Sequence, residues 1–226
     1  MKTLKKIWWR LLFASYALVY LPWFFFLESK ITMNYPNLHI INGPLDDMIP
    51  FCEVFIIPYF LWFAYIVASC VIMVLKADNQ EFIRFALSLI IGMSLCMVIC
   101  MVYPNGLTLR PDTLPDNVFG RLVAGLYATD TPTNVFPSIH VYNSIAVHTA
   151  LSKCKALKNH KGLLTGSLIL CILICMSTVF LKQHSLYDVG GAFVLMGVMY
   201  YVLYILPERR AQRQAENEKH YASADE

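Results

Sequence analysis

Charge is what this chain has least of. Only 15% of its 226 residues are Asp, Glu, Lys or Arg, where an ordinary soluble domain carries about a quarter. That excludes the usual solvated globular surface, and a net charge of +3 that comes from short basic flanks offers no nucleic-acid footprint. Nor do the seven cysteines build a disulfide framework: Cys70, Cys96, Cys100, Cys171 and Cys175 fall within apolar runs, Cys154 in a lysine-rich turn, and only Cys52 near the other face. The pairs Cys96/Cys100 and Cys171/Cys175 have the i,i+4 spacing of metal ligands. No histidine or carboxylate keeps company with them, however, and packing is the better reading. Internal repeats are lacking, as is any sign of a second domain, so residues 1–226 read as one unit. The first apolar run has a basic start but no small-residue cleavage site, which favours a retained anchor over a signal peptide.

Apolar sequence is what abounds: 58% of residues, with a mean hydropathy of +0.54. It is gathered into six runs, roughly Ile7–Leu27, Phe51–Leu75, Phe82–Tyr103, Pro137–Leu151, Leu163–Leu181 and Leu186–Leu206, against a need of about 20 residues per bilayer crossing. The fourth is the weakest, since it holds His140, Asn143, Ser144 and His148. Basic residues orient the set. With the N-terminus cytoplasmic, 14 Lys and Arg fall inside and four outside, namely Lys30, Arg110, Arg121 and Lys182. The expectation is an all-α, polytopic membrane protein of six transmembrane helices in a lipid bilayer, with both termini cytoplasmic. Pro22 and Pro58 should kink the first two spans, and a polar tail, 207–226, should follow the last.

This topology collects polar residues at the extracytoplasmic face. His140 lies in the first outer turn of span four; His184 and Asp188 lie at the outer start of span six; Arg110 lies in the long outer loop 104–136. In FLKQHSLYD (Phe180 to Asp188) the histidine and aspartate are spaced i,i+4, so on a helix the carboxylate can hydrogen-bond the imidazole and leave its other nitrogen as a nucleophile or base. Two histidines, an aspartate, an arginine and a serine suit phosphoryl transfer without metal or other cofactor: one histidine attacks phosphorus and the other protonates the leaving oxygen. Pro137 and Ser138 opening a helix would also aim free N–H groups at an anion. Within the outer loop, Asn117 to Asp130 has a helical apolar spacing suited to lying along the interface.

Three short elements then resemble those of the type 2 phosphatidic acid phosphatase superfamily. NVFPSIHV (Asn134 to Val141) resembles its PSGH element, LKQHSLYD (Leu181 to Asp188) its histidine–xxx–aspartate element, and LRP (Leu109 to Pro111) the end of its first element. The family-like core is about 82–206. The resemblance implies that His184 is a nucleophile forming a phosphohistidine, Asp188 orients it, His140 is the general acid, and Arg110 and Ser138 bind phosphate. It implies a lipid phosphatase acting on a phospholipid or polyprenyl phosphate in the bilayer. The family's other cations are replaced by Tyr103 and Thr178, and its second-element glycine by Ile139; Lys182, two residues before His184, is the candidate substitute for phosphate binding. The LKQH variant resembles more closely the branch of inositol phosphorylceramide and sphingomyelin synthases, which makes head-group transfer the alternative. A non-catalytic lipid-binding or transport relative is the third.

Plainer readings stand beside these. Ser138 can be only a helix cap, Lys182 a snorkelling interface residue, Arg110 and Arg121 headgroup-facing charges, and His148 a hydrogen-bonded core histidine. Glu53 and Trp23–Phe26 read as interface anchors.

Overall fold

The computed structural model describes the backbone of residues 2–224 and the side chains of 7–217. Lys2, Lys5, Lys6 and Lys219, counted above among the cytoplasmic charges, have side chains outside the described residues. In chain order the helices of ten residues or more are α1 (Ile7–Lys30), α2 (Glu53–Lys76), α3 (Asn79–Val102), α4 (Val118–Thr129), α5 (Ile139–Lys153), α6 (Lys161–Phe180) and α7 (Leu186–Asn217). The only strands among the described residues form a parallel two-residue ladder, β1 (His39–Ile40) on β2 (Asn105–Gly106), with His39 opposite Asn105. The Asn105 side-chain oxygen accepts the N–H groups of Val135 and Phe136, so this ladder steadies the approach to α5.

Five helices (α1, α2, α3, α6 and α7) are long and apolar enough to cross a membrane. The expected fourth span is α5, and it is neither. Its 15 residues rise about 22 Å, short of a hydrocarbon core of about 30 Å. Its polar residues have a different solvent: α5 packs on α2, α3, α6 and α7, and Asn143 and Ser144 are buried. His148 Nδ1 lies 3.0 Å from Ser167 Oγ, which also meets the Tyr65 hydroxyl at 2.7 Å. His148 is thus a half-buried histidine hydrogen-bonded between helices. A helix jacketed by others need not be apolar all round.

Local chemistry sets the helix ends. Asp78 caps α3, accepting the Glu81 N–H while the Glu81 carboxylate accepts that of Asp78. Pro58 falls in the first turn of the α-helical stretch Ile56–Lys76, where a missing N–H costs nothing; the kink expected there has no cause. Pro22, in contrast, lies inside a helix. At the end of the bundle away from the histidines, the guanidinium of Arg10 donates to the carbonyls of Val74 and Ala77 and to the Asn79 side chain, binding α1 to the end of α2. Toward the other end α1 packs instead on α3, through Leu27, Met97 and Cys100. The polar tail continues α7 as helix to Ala224.

Candidate active site

The histidine and aspartate expected on one helical face are brought together otherwise. His184 precedes α7; Ser185 is its N-cap and Asp188 its third residue. Ser185 Oγ accepts the Asp188 N–H at 3.2 Å, and Asp188 Oδ2 accepts the Ser185 N–H at 2.8 Å. This reciprocal cap locks the carboxylate, and the chain immediately before it places His184 Nδ1 3.4 Å from Asp188 Oδ2. The contact is close but poorly aligned: neither Nδ1 nor Asp188 Oδ1 completes a hydrogen bond, as is common for catalytic pairs that tighten around substrate. The turn holding His184 is fixed from behind, since the Thr178 carbonyl accepts the N–H groups of both Gln183 and His184.

His140 sits in the first turn of α5, as expected, between the rings of Tyr59 (4.6 Å) and Trp62 (4.5 Å). Its ring centroid lies 5.7 Å from that of His184. The two helix starts are joined where it matters, because the Ser138 N–H donates to the Asp188 carbonyl at 3.2 Å. Both histidines line one cavity of about 380 Å³. Its walls are Tyr20, Leu21, Phe24 and Phe25 of α1, Tyr59, Phe60, Trp62 and Phe63 of α2, and the stretch from the end of α4 to Val135. Phe25 is 64% and Phe63 56% exposed, so the aromatic wall opens sideways between α1 and α2.

The three expected phosphate ligands lie elsewhere. Ser138 is fully buried, and its hydroxyl accepts the Val141 N–H: it caps α5. Arg110 stacks on Tyr127 at 4.2 Å and donates to the carbonyls of Tyr127 and Asp130 and to the side-chain oxygen of Gln183. It reaches the cavity only through Gln183 and the backbone of Asp130. The Lys182 ammonium donates to the carbonyls of Asp46 and Ile49, each at 2.6 Å, and ties the one-turn helix Pro44–Asp47 and the residues after it to the turn; burial lowers its pKa. Of the replaced cations, Tyr103 stacks on His39 at 4.1 Å and Thr178 is buried. Arg121 pairs with Asp116 in solvent, a surface charge. No Lys or Arg is among the described residues lining the cavity.

The chain matches the PAP2 superfamily over residues 81–212, more than half its length. It belongs to that superfamily. No curated protein matches it, and no solved structure does. PAP2 superfamily members are phosphatases or phosphotransferases of the lipid-enzyme type, and five helices able to cross a bilayer agree with a multi-pass membrane protein acting on lipid. The matched region holds both histidines and Asp188, whereas the aromatic wall from α1 and α2 lies outside it.

Four cavity residues carried no sequence signal strong enough to name them: Tyr59, Trp62, Asp130 and Gln183. Asp130 closes α4, and its Oδ2 accepts the Tyr59 hydroxyl at 2.9 Å and Gln183 Nε2 at 3.4 Å. Burial raises its pKa, against the opposing pull of the Tyr59 bond, His184 and Arg110. Gln183 was legible as the Q of LKQH, but only as a spacer.

Proposed function

We propose that this chain is an integral-membrane lipid phosphatase working through a phosphohistidine on His184. One observation carries the reading: two histidine rings 5.7 Å apart stand at the end of a cavity whose wall is aromatic and laterally open, with a buried carboxylate 3.4 Å behind one of them. Asp188 holds the Nδ1–H tautomer of His184, leaving Nε2 to attack phosphorus. As the P–N bond forms, the P–O bond to the lipid breaks and protonated His140 gives its proton to the leaving oxygen. Water then attacks, His140 takes its proton, and the P–N bond breaks to release phosphate. Ile139 and His140 line the cavity at the start of α5, where unpaired N–H groups favour an anion. The lipid tail lies along the aromatic wall, entering between α1 and α2. The charge asymmetry of the loops supports α5 as a sixth, jacketed crossing and the site on the extracytoplasmic side.

A second reading, transfer of a phospho-headgroup to an alcohol instead of water, is favoured by the cavity itself. With Glu28 and Asp130 among its lining and no lysine or arginine, it suits a phosphodiester monoanion better than a monoester dianion. Purified protein in detergent with EDTA, offered a panel of lipid phosphates, should release phosphate, and His184→Ala should abolish release. Release only when an acceptor lipid is added would select the transferase. Full turnover by His184→Ala would sink both.

A further inference from the structure

A carboxylate beside a phosphoryl-transfer centre needs a reason, because it repels the phosphate. Asp130 lines the cavity together with His140, Gln183 and His184. Both hydrogen bonds reaching its carboxylate fall on Oδ2; Oδ1 receives none among the described residues and is not sealed from the cavity. Gln183 is oriented unambiguously. Its Oε1 faces the Arg110 guanidinium, which can only donate, so its Nε2 must be the end turned to Asp130. Arg110 also holds the Asp130 carbonyl, so acid and amide are mounted on one half-buried cation. A free carboxylate oxygen with an amide N–H₂ alongside is an acceptor and a donor set side by side, complementary to an alcohol. They have no complement in a hydrocarbon tail.

We propose that Asp130 and Gln183 form a hydroxyl-binding subsite beside His184, taking a free hydroxyl on the group next to the reacting phosphorus. That hydroxyl belongs either to the phosphorylated lipid or to the alcohol that accepts the phosphoryl group. The subsite deepens the reading of this cavity as a lipid-phosphate site, and it makes the enzyme selective for polyol-type over plain alkyl partners.

Binding tests it apart from turnover. Protein in detergent is titrated, through the fluorescence of Trp62 on the cavity wall, with two non-hydrolysable monoalkyl phosphonates that differ by one hydroxyl two carbons from phosphorus. A second arm uses a long-chain diol and its O-methyl ether. A charged acceptor with a donor beside it should favour the hydroxyl by about tenfold in Kd, in the first arm if the donor carries it and in the second if the acceptor does. In Asp130→Asn the preference should fall to about twofold or less, while the deoxy phosphonate, relieved of the carboxylate's repulsion, binds at least as tightly as to the wild type. Equal Kd values in both arms for the wild type overturn the proposal whatever the variant does, and so does a preference that survives in Asp130→Asn. Loss of catalysis in any assay leaves these ratios untouched, so a failed phosphatase reading and a failed subsite are told apart.

Discussion

Replacing Asp188 by asparagine should separate what this carboxylate does for folding from what it does for chemistry. In the fold its Oδ2 accepts the Ser185 N–H at 2.8 Å, closing the cap of α7. An amide oxygen can keep that bond, so Asp188→Asn should change stability by no more than about 1 kcal/mol, whereas Asp188→Ala forfeits a cap contact that itself is worth about 1 kcal/mol. For chemistry the same atom faces His184 Nδ1 at 3.4 Å. In asparagine the oxygen that keeps the Ser185 bond is also the atom that faces Nδ1, so what is lost is the negative charge that holds the Nδ1–H tautomer and supports positive charge on the ring. Loss of the charged partner of a catalytic histidine costs about ten-thousandfold in kcat, or about 5.5 kcal/mol of barrier at 1.36 kcal/mol per decade. The assay is steady-state phosphate release in detergent, with melting temperature measured on the same preparation. Retention of a tenth or more of the wild-type rate by a normally folded Asp188→Asn would refute the orienting role.

Other consequences follow from single contacts. Lys182→Met should lower stability by about 1–3 kcal/mol, because a charged donor to two carbonyls is lost; a several-fold rise in KM at unchanged melting temperature would instead put the ammonium on the phosphate. Gly92→Ala would place a Cβ 2.0 Å from the Tyr142 ring, prying α3 from α5, and should cost at least about 1–3 kcal/mol in a denaturation experiment. For Asp130 the sign runs toward acid. Burial raises its pKa above the ordinary 3.8, so the folded state holds the proton more tightly and stability rises as pH falls through the folded pKa toward 3.8. Asp130→Asn should remove that rise, measured as the difference between wild-type and variant melting temperatures across pH 4 to 7.

The helical architecture was legible because an apolar run of about 20 residues matches the length of a helical bilayer crossing. The run at Pro137–Leu151 was the weak one, and the structure gives the reason: hydropathy reports contact with lipid, while Asn143 and Ser144 are buried inside a jacket of four helices and His148 meets Ser167 there. His140, His184 and Asp188 were legible as short motifs, and they do converge. The cap that joins two of them was not, because an i,i+4 spacing looks the same on a helix face as across a helix start. The fate of the cations was beyond sequence. Whether Arg110 and Lys182 face a ligand or a carbonyl depends on connecting segments such as 43–49, which spacing does not place. Asp130 likewise became visible only when α4 carried it back to Tyr59 and Gln183.

The covalent intermediate tests the central claim most directly. Wild-type protein mixed with a ³²P-labelled lipid phosphate and quenched in base within milliseconds should carry label that survives alkali and is lost in acid, the behaviour of a P–N bond. Peptide mapping should place the label on His184, and His184→Ala should carry none. Label on another residue, or rapid turnover with no acid-labile label at any time point, would contradict the account.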